Sequence, residues 1–235
     1  MARYLVVAHQ TATSQALVEA VRSHALDEPD AEFVLLVPAT HVEHLLTWTE
    51  EESHEIARRD GDAARDQVLA LRNDPANALG RIVDPARTAV TGHSFGGWTA
   101  LAAERTGRFD AVVGLAPAPA SSLLQAAAAA TTPTLIAVGG ADDVVAPAEV
   151  RALYDALPPS IPHYYLFLPV AGHHAFRDIC SRTCDLSQGR AHDLVDGYVT
   201  AFLEVYLGHD ERYRAYLSED QAPDATIAHV APVIP

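Results

Sequence analysis

Short apolar runs alternate with longer amphipathic stretches along most of this chain, and that alternation limits its fold more than any other feature. Runs at 3–8, 32–37, 88–92, 111–116, 134–139 and 164–169 read as strands buried on both faces. The segments between them, at 13–26, 50–72, 95–105, 121–130 and 147–157, and the stretch at 190–206, carry apolar residues at helical spacing. Thr49 with Glu52 forms a capping-box pattern at the start of the second helix, and Asn73-Asp74-Pro75 stops it. Strands alternating with helices predict an α/β fold: a mostly parallel sheet between two helical layers, an αβα sandwich. The expected organisation is one domain over 1–217, with a βαβα portion at 1–65 leading into 66–217. A proline-containing tail without periodicity follows at 218–235, ordered only if it docks.

Composition narrows the functions available. With 49% hydrophobic and 20% charged residues among 235, the chain can bury a core and is not a disordered segment. The net charge is −15, and all 16 basic residues are arginine. Such a balance argues against a phosphate-backbone footprint or an anionic membrane surface. No apolar run is long enough to cross a bilayer, and the one at the N-terminus is too short for a secretory signal, which sets a cytoplasmic expectation. Two cysteines, Cys180 and Cys184, are too few for a disulfide framework; their spacing allows a small disulfide just after the 173–174 loop or two thiols, and without a signal segment reduced thiols are expected. His9, His41 and His44 match no zinc pattern, so no metal or other cofactor is expected. The remaining class is a protein with a pocket for a small molecule. The sequence does not fix its oligomeric state.

The sharpest local signal is Gly92-His93-Ser94-Phe95-Gly96-Gly97, placed directly after a strand and opening a helix. This is G-x-S-x-G in the strand–turn–helix setting of a nucleophile elbow. The turn is so tight that a side chain at 92 or 96 would strike neighbouring backbone. It lifts the Ser94 hydroxyl to the carboxyl edge of the sheet and brings the Phe95 N–H, at a helix N-terminus, toward a developing oxyanion.

A nucleophilic serine needs a base, and the base needs an orienting carboxylate. Strand 134–139 is followed by Asp142 and Asp143, and strand 164–169 by His173 and His174. Loops at the carboxyl ends of parallel strands share one edge, so either member of each pair is within topological reach of Ser94. Neighbouring loop side chains diverge, so one of each pair is expected to take part.

At these residues the chain from about 66 to 217 resembles the α/β-hydrolases of the esterase, dienelactone-hydrolase and platelet-activating-factor-acetylhydrolase-like group. The matching pieces are VDPARTAVTGHSFGGWTAL, PTLIAVGGADDVVAP and AGHHAF. The resemblance implies a compact, lidless hydrolase without the family's first two strands. It selects Asp143, three residues after Gly140 and four before Pro147, and His173, between Gly172 and Phe176. By the same resemblance the second oxyanion donor would be the Gln10 N–H, flanked by His9, although the usual glycine is absent there. His9, His93 and Pro117 are expected to touch substrate; Trp98, one turn into the helix, is a further candidate for that contact, with core packing the favoured reading. No large insertion separates strands 111–116 and 134–139, so an open site walled by Pro117 and Pro119 is expected. Residues 1–65 resemble the opening of a universal-stress-type domain without its phosphate loop, which suggests a hybrid chain.

The implied activity is cofactor-independent cleavage of a small carboxylic ester through an acyl-serine. The alternatives are a hybrid protein with a binding or structural role, or nucleotide binding by residues 1–65.

Overall fold

The computed structural model describes residues 3–7, 32–36, 59, 62, 63, 65, 66, 69, 70, 84, 86–118, 120–176, 188–218 and 229–235. Seven strands are assigned among them: β1 (Arg3–Val7), β2 (Glu32–Leu36), β3 (Ala89–His93), β4 (Ala111–Leu115), β5 (Thr134–Gly139), β6 (His163–Leu168) and β7 (His229–Val233). The α-helices are α1 (Phe95–Ala103), α2 (Leu124–Ala128), α3 (Pro147–Asp155) and α4 (Gln188–Tyr206). The positions described between 59 and 70 are helical, within the helix expected over 50–72.

Five strands form one sheet in the order β3-β4-β5-β6-β7. The β3 to β6 pairings are parallel, with Gly92 opposite Gly114 and Leu135 opposite Tyr164. Alternate residues along these strands feed two cores. Val90, Val112, Ile136, Val138 and Tyr165 pack with residues of α1, α2 and α3. Ala111, Val113, Leu135, Ala137, Tyr164, Leu166 and Leu168 pack with the buried stripe of α4, including Leu194, Val195, Tyr198 and Phe202. The expected αβα layering follows from this period-two division of apolar strands.

Three features depart from the sequence reading. The described strands fall into two sheets rather than one: β1 and β2 pair in parallel as a separate ladder, and no described ladder joins β2 to β3. The tail, expected to be aperiodic, supplies β7, which runs antiparallel along β6 with Pro232 opposite Tyr164. Proline reads as a strand breaker in sequence, but the outer side of an edge strand needs no donor and accommodates it. The helix expected over 121–130 is a 3-10 turn, Ala120–Leu123, followed by the short α2. A further 3-10 segment, Glu211–Leu217, follows α4, with Asp210 capping it by accepting from the Arg212 N–H.

Candidate active site

The carboxyl ends of β3, β5 and β6 deliver three polar side chains to one edge of the sheet. Ser94 sits between β3 and α1 with φ 57° and ψ −121°, the strained conformation of a sharp strand-to-helix turn. Glycine makes that turn possible. A Cβ on Gly92 would lie 2.2 Å from the Gly96 carbonyl oxygen. The turn is also tied to its neighbour strand: the Ser94 N–H donates to Leu115 O at 2.8 Å, and the Ala118 N–H donates to Ser94 O at 3.1 Å.

The loops after β5 and β6 are held together by their backbones. The Gly140 N–H donates to Leu168 O at 2.8 Å and the Ala141 N–H to Ala171 O at 3.0 Å. A Cβ on Gly139 would lie 2.0 Å from Ala171 O, so this approach requires a glycine. The result is a continuous hydrogen-bonded chain: Ser94 Oγ lies 2.9 Å from His173 Nε2, and His173 Nδ1 lies 2.9 Å from Asp142 Oδ2. The His173 side chain is 3% exposed and that of Asp142 is 0% exposed. Ser94 itself is partly exposed.

The acid on His173 is therefore Asp142, and the expectation of Asp143 is corrected. Asp143 is exposed. The reason is local. Asp142 Oδ1 accepts the N–H groups of Val144 and Val145 at 2.9 and 2.8 Å, an Asx-type turn that locks its carboxylate inward. Burial disfavours the charge on Asp142. The His173 hydrogen bond and the Val145 and Val144 N–H groups more than offset that, and its pKa lies below the ordinary value. An ionised Asp142 accepts from Nδ1–H, which leaves Nε2 to accept the Ser94 proton.

The other expected site residues divide. Phe95 opens α1, so its N–H lies at the N-terminal end of the helix beside Ser94, as the oxyanion reading requires. Trp98 is core: it is 2% exposed, stacks on Phe95 at 5.0 Å and donates from Nε1 to Ser122 Oγ at 2.7 Å. Pro117 is buried as well. His93 is half-buried and faces the His173 segment rather than open solvent. His174 is half-buried beside His173, ring centroids 5.3 Å apart, and makes no hydrogen bond to Ser94. His9, Gln10, His41, His44, Pro119, Cys180 and Cys184 lie outside the described residues. Among the described residues, no group of three or more His, Cys, Asp or Glu side chains is arranged to hold a metal, and no helix is long and apolar enough to cross a membrane.

Residues 46–231 match the family model described as PET hydrolase-like. The chain belongs to the PET hydrolase-like family. The match extends beyond the 66–217 span on which the hydrolase resemblance rests, and it leaves residues 1–45 outside. Similar curated proteins include cutinases. The chain is 30% identical over 162 residues to cutinase 2 of Thermobifida cellulosilytica, covering 68% of this chain and 55% of that protein. It is also 30% identical over 162 residues to the cutinase cut1 of Thermobifida fusca, covering 68% and 45%. The chain thus spans about half the length of the curated relatives it matches. A PET hydrolase-like chain is an α/β-hydrolase of esterase type, in agreement with the resemblance carried by the Gly92–Gly97 motif.

Two features of the site were not anticipated. Ala116, directly after β4, has φ 43°, a left-handed backbone on a residue that is not glycine. The choice of Asp142 over Asp143 had one sequence signal: Asp142 also lies three residues after a glycine, Gly139.

Proposed function

We propose that this chain is a serine hydrolase of carboxylic esters working through an acyl-enzyme. The observation that carries the reading is the unbroken hydrogen-bonded chain from Ser94 through His173 to Asp142. In the first step Ser94 Oγ attacks the ester carbonyl carbon while its proton passes to His173 Nε2. Asp142, anionic and buried, orients His173 and stabilises the imidazolium that forms. The carbonyl oxygen becomes an oxyanion beside the Phe95 N–H, where the α1 N-terminus favours negative charge. Collapse of this intermediate expels the alkoxide, which takes the proton from His173 Nε2 and leaves an ester on Ser94. Water then gives its proton to His173 and attacks that ester, and Ser94 is regenerated as the carboxylic acid departs.

The family description and the cutinase relatives support an ester as the substrate. The test is hydrolysis of short p-nitrophenyl esters by wild type and Ser94→Ala. The reading expects the variant to lose all but background rate. Equal rates in the two proteins would refute it.

A further inference from the structure

His93 precedes the nucleophile and is the last residue of β3. Its ring reaches across the sheet edge, and Nε2 lies 2.8 Å from the backbone carbonyl oxygen of His173. A carbonyl only accepts, so His93 must hold its proton on Nε2 and donate it. The two imidazole rings lie beside each other with centroids 4.7 Å apart, and the His93 ring also approaches Phe176, with centroids 5.9 Å apart. His93 therefore grips the short 3-10 segment His173–Phe176 both by its backbone and by its rings.

We infer that His93 is a positioning residue for the general base, resting on the serine hydrolase reading above. The hydrogen bond from Ser94 Oγ to His173 Nε2 must be short and aligned when the proton moves. Two backbone links already set the distance between β6 and β5, but they act on the Asp142 side of His173. On the Ser94 side the link is His93, covalently adjacent to the nucleophile and bonded to the main chain of the base. With it, the elbow and the His173 segment move as one body. Without it, those backbone links still hold the Asp142 side, but the Ser94 side of His173 loses its main-chain tie; the loss of register reduces proton transfer, and misplacement by about 1 Å costs on the order of 10²-fold. Substrate contact, the role expected for His93 from sequence, would leave the same atom facing outward instead.

Two substitutions separate the donor from the ring. His93→Phe keeps an aromatic ring against His173 and Phe176 but has no N–H. His93→Gln lacks the ring but carries an amide donor at a similar reach. Both are measured for thermal midpoint, for kcat and KM on a soluble ester, and for the rate at which a fluorophosphonate labels Ser94. The His173 Nδ1 proton, shared with Asp142, is followed by NMR and needs no turnover. For His93→Phe the expected result is a fall of about 10-fold or more in kcat and labelling rate, with KM within a few-fold of wild type. Its Nδ1 proton signal shifts or broadens, while His93→Gln restores most of each readout. If His93→Phe keeps wild-type kcat and an unchanged Nδ1 signal, the inference is wrong. It is equally overturned if KM alone rises, which indicates substrate contact, or if only the thermal midpoint falls, which indicates packing. Failure of the hydrolase reading is distinct: wild type itself would then not label at Ser94, and the Nδ1 signal would still decide whether His93 positions His173.

Discussion

Asp142 and Asp143 are chemically identical neighbours with opposite surroundings, and the difference predicts opposite outcomes on removal. Asp142→Asn takes the acceptor from His173 Nδ1 and favours the wrong tautomer, so kcat should fall by on the order of 10⁴. Asp143→Asn changes an exposed side chain and should leave ester hydrolysis within a few-fold of wild type. Steady-state kinetics on one soluble ester checks both. The depressed pKa of Asp142 also has a stability consequence. In acid the unfolded chain takes up a proton on this group before the folded chain does. Its contribution is therefore fully present above the ordinary carboxylate pKa of about 3.9 and is lost as pH falls through the lower folded value. Urea midpoints against pH should show wild type losing more stability over that range than Asp142→Asn. Ala116 predicts a gain. Its left-handed φ costs roughly 1–2 kcal/mol that glycine avoids, less about 0.5–1 kcal/mol for the added freedom of the unfolded chain. Ala116→Gly should raise the thermal midpoint slightly. The serine was legible at this scale because G-x-S-x-G constrains backbone and chemistry together. The acid was not, because its selection depends on which carboxylate the two N–H groups of Val144 and Val145 capture.

At the scale of elements, the site depends on how closely two loops approach. Gly139 is the point of contact, since any side chain there meets the Ala171 carbonyl. Gly139→Ala must part the Asp142 and His173 loops, and it should cost about 3 kcal/mol in denaturant unfolding and most of the activity. The strands and their parallel order were legible in the alternation of apolar runs, because a sheet covered on both faces demands such runs. The edge strand β7 was not, because its paired residues on β6 lie 62 to 70 positions away and Pro232 argues locally against a strand. Removing 229–235 leaves the β6 edge uncovered. The lost ladder bonds should lower stability by roughly 2–4 kcal/mol, and the bared edge should promote aggregation, read by thermal melts and light scattering.

At the scale of the whole molecule, one parallel sheet edge gathers residues separated by 79 positions in sequence between Ser94 and His173. The helical layers on both faces bury the strands, and the strand order then leaves the carboxyl-end loops free to meet. Glu104 shows the same economy at the far end of the molecule: buried at 3% exposure, it accepts from the Thr131 and Thr132 N–H groups and fixes the approach to β5. The family of the chain was legible as a resemblance over 66–217 because the hydrolase motifs fall in that span, whereas the family match begins at 46. This assembled edge is what would make Ser94 a nucleophile. Treating folded protein with a fluorophosphonate and mapping the adduct by mass spectrometry tests it most directly. The expected result is one adduct, on Ser94, that is absent from Ser94→Ala and strongly slowed in Asp142→Asn. A folded wild-type protein that remains unlabelled at Ser94 would contradict it.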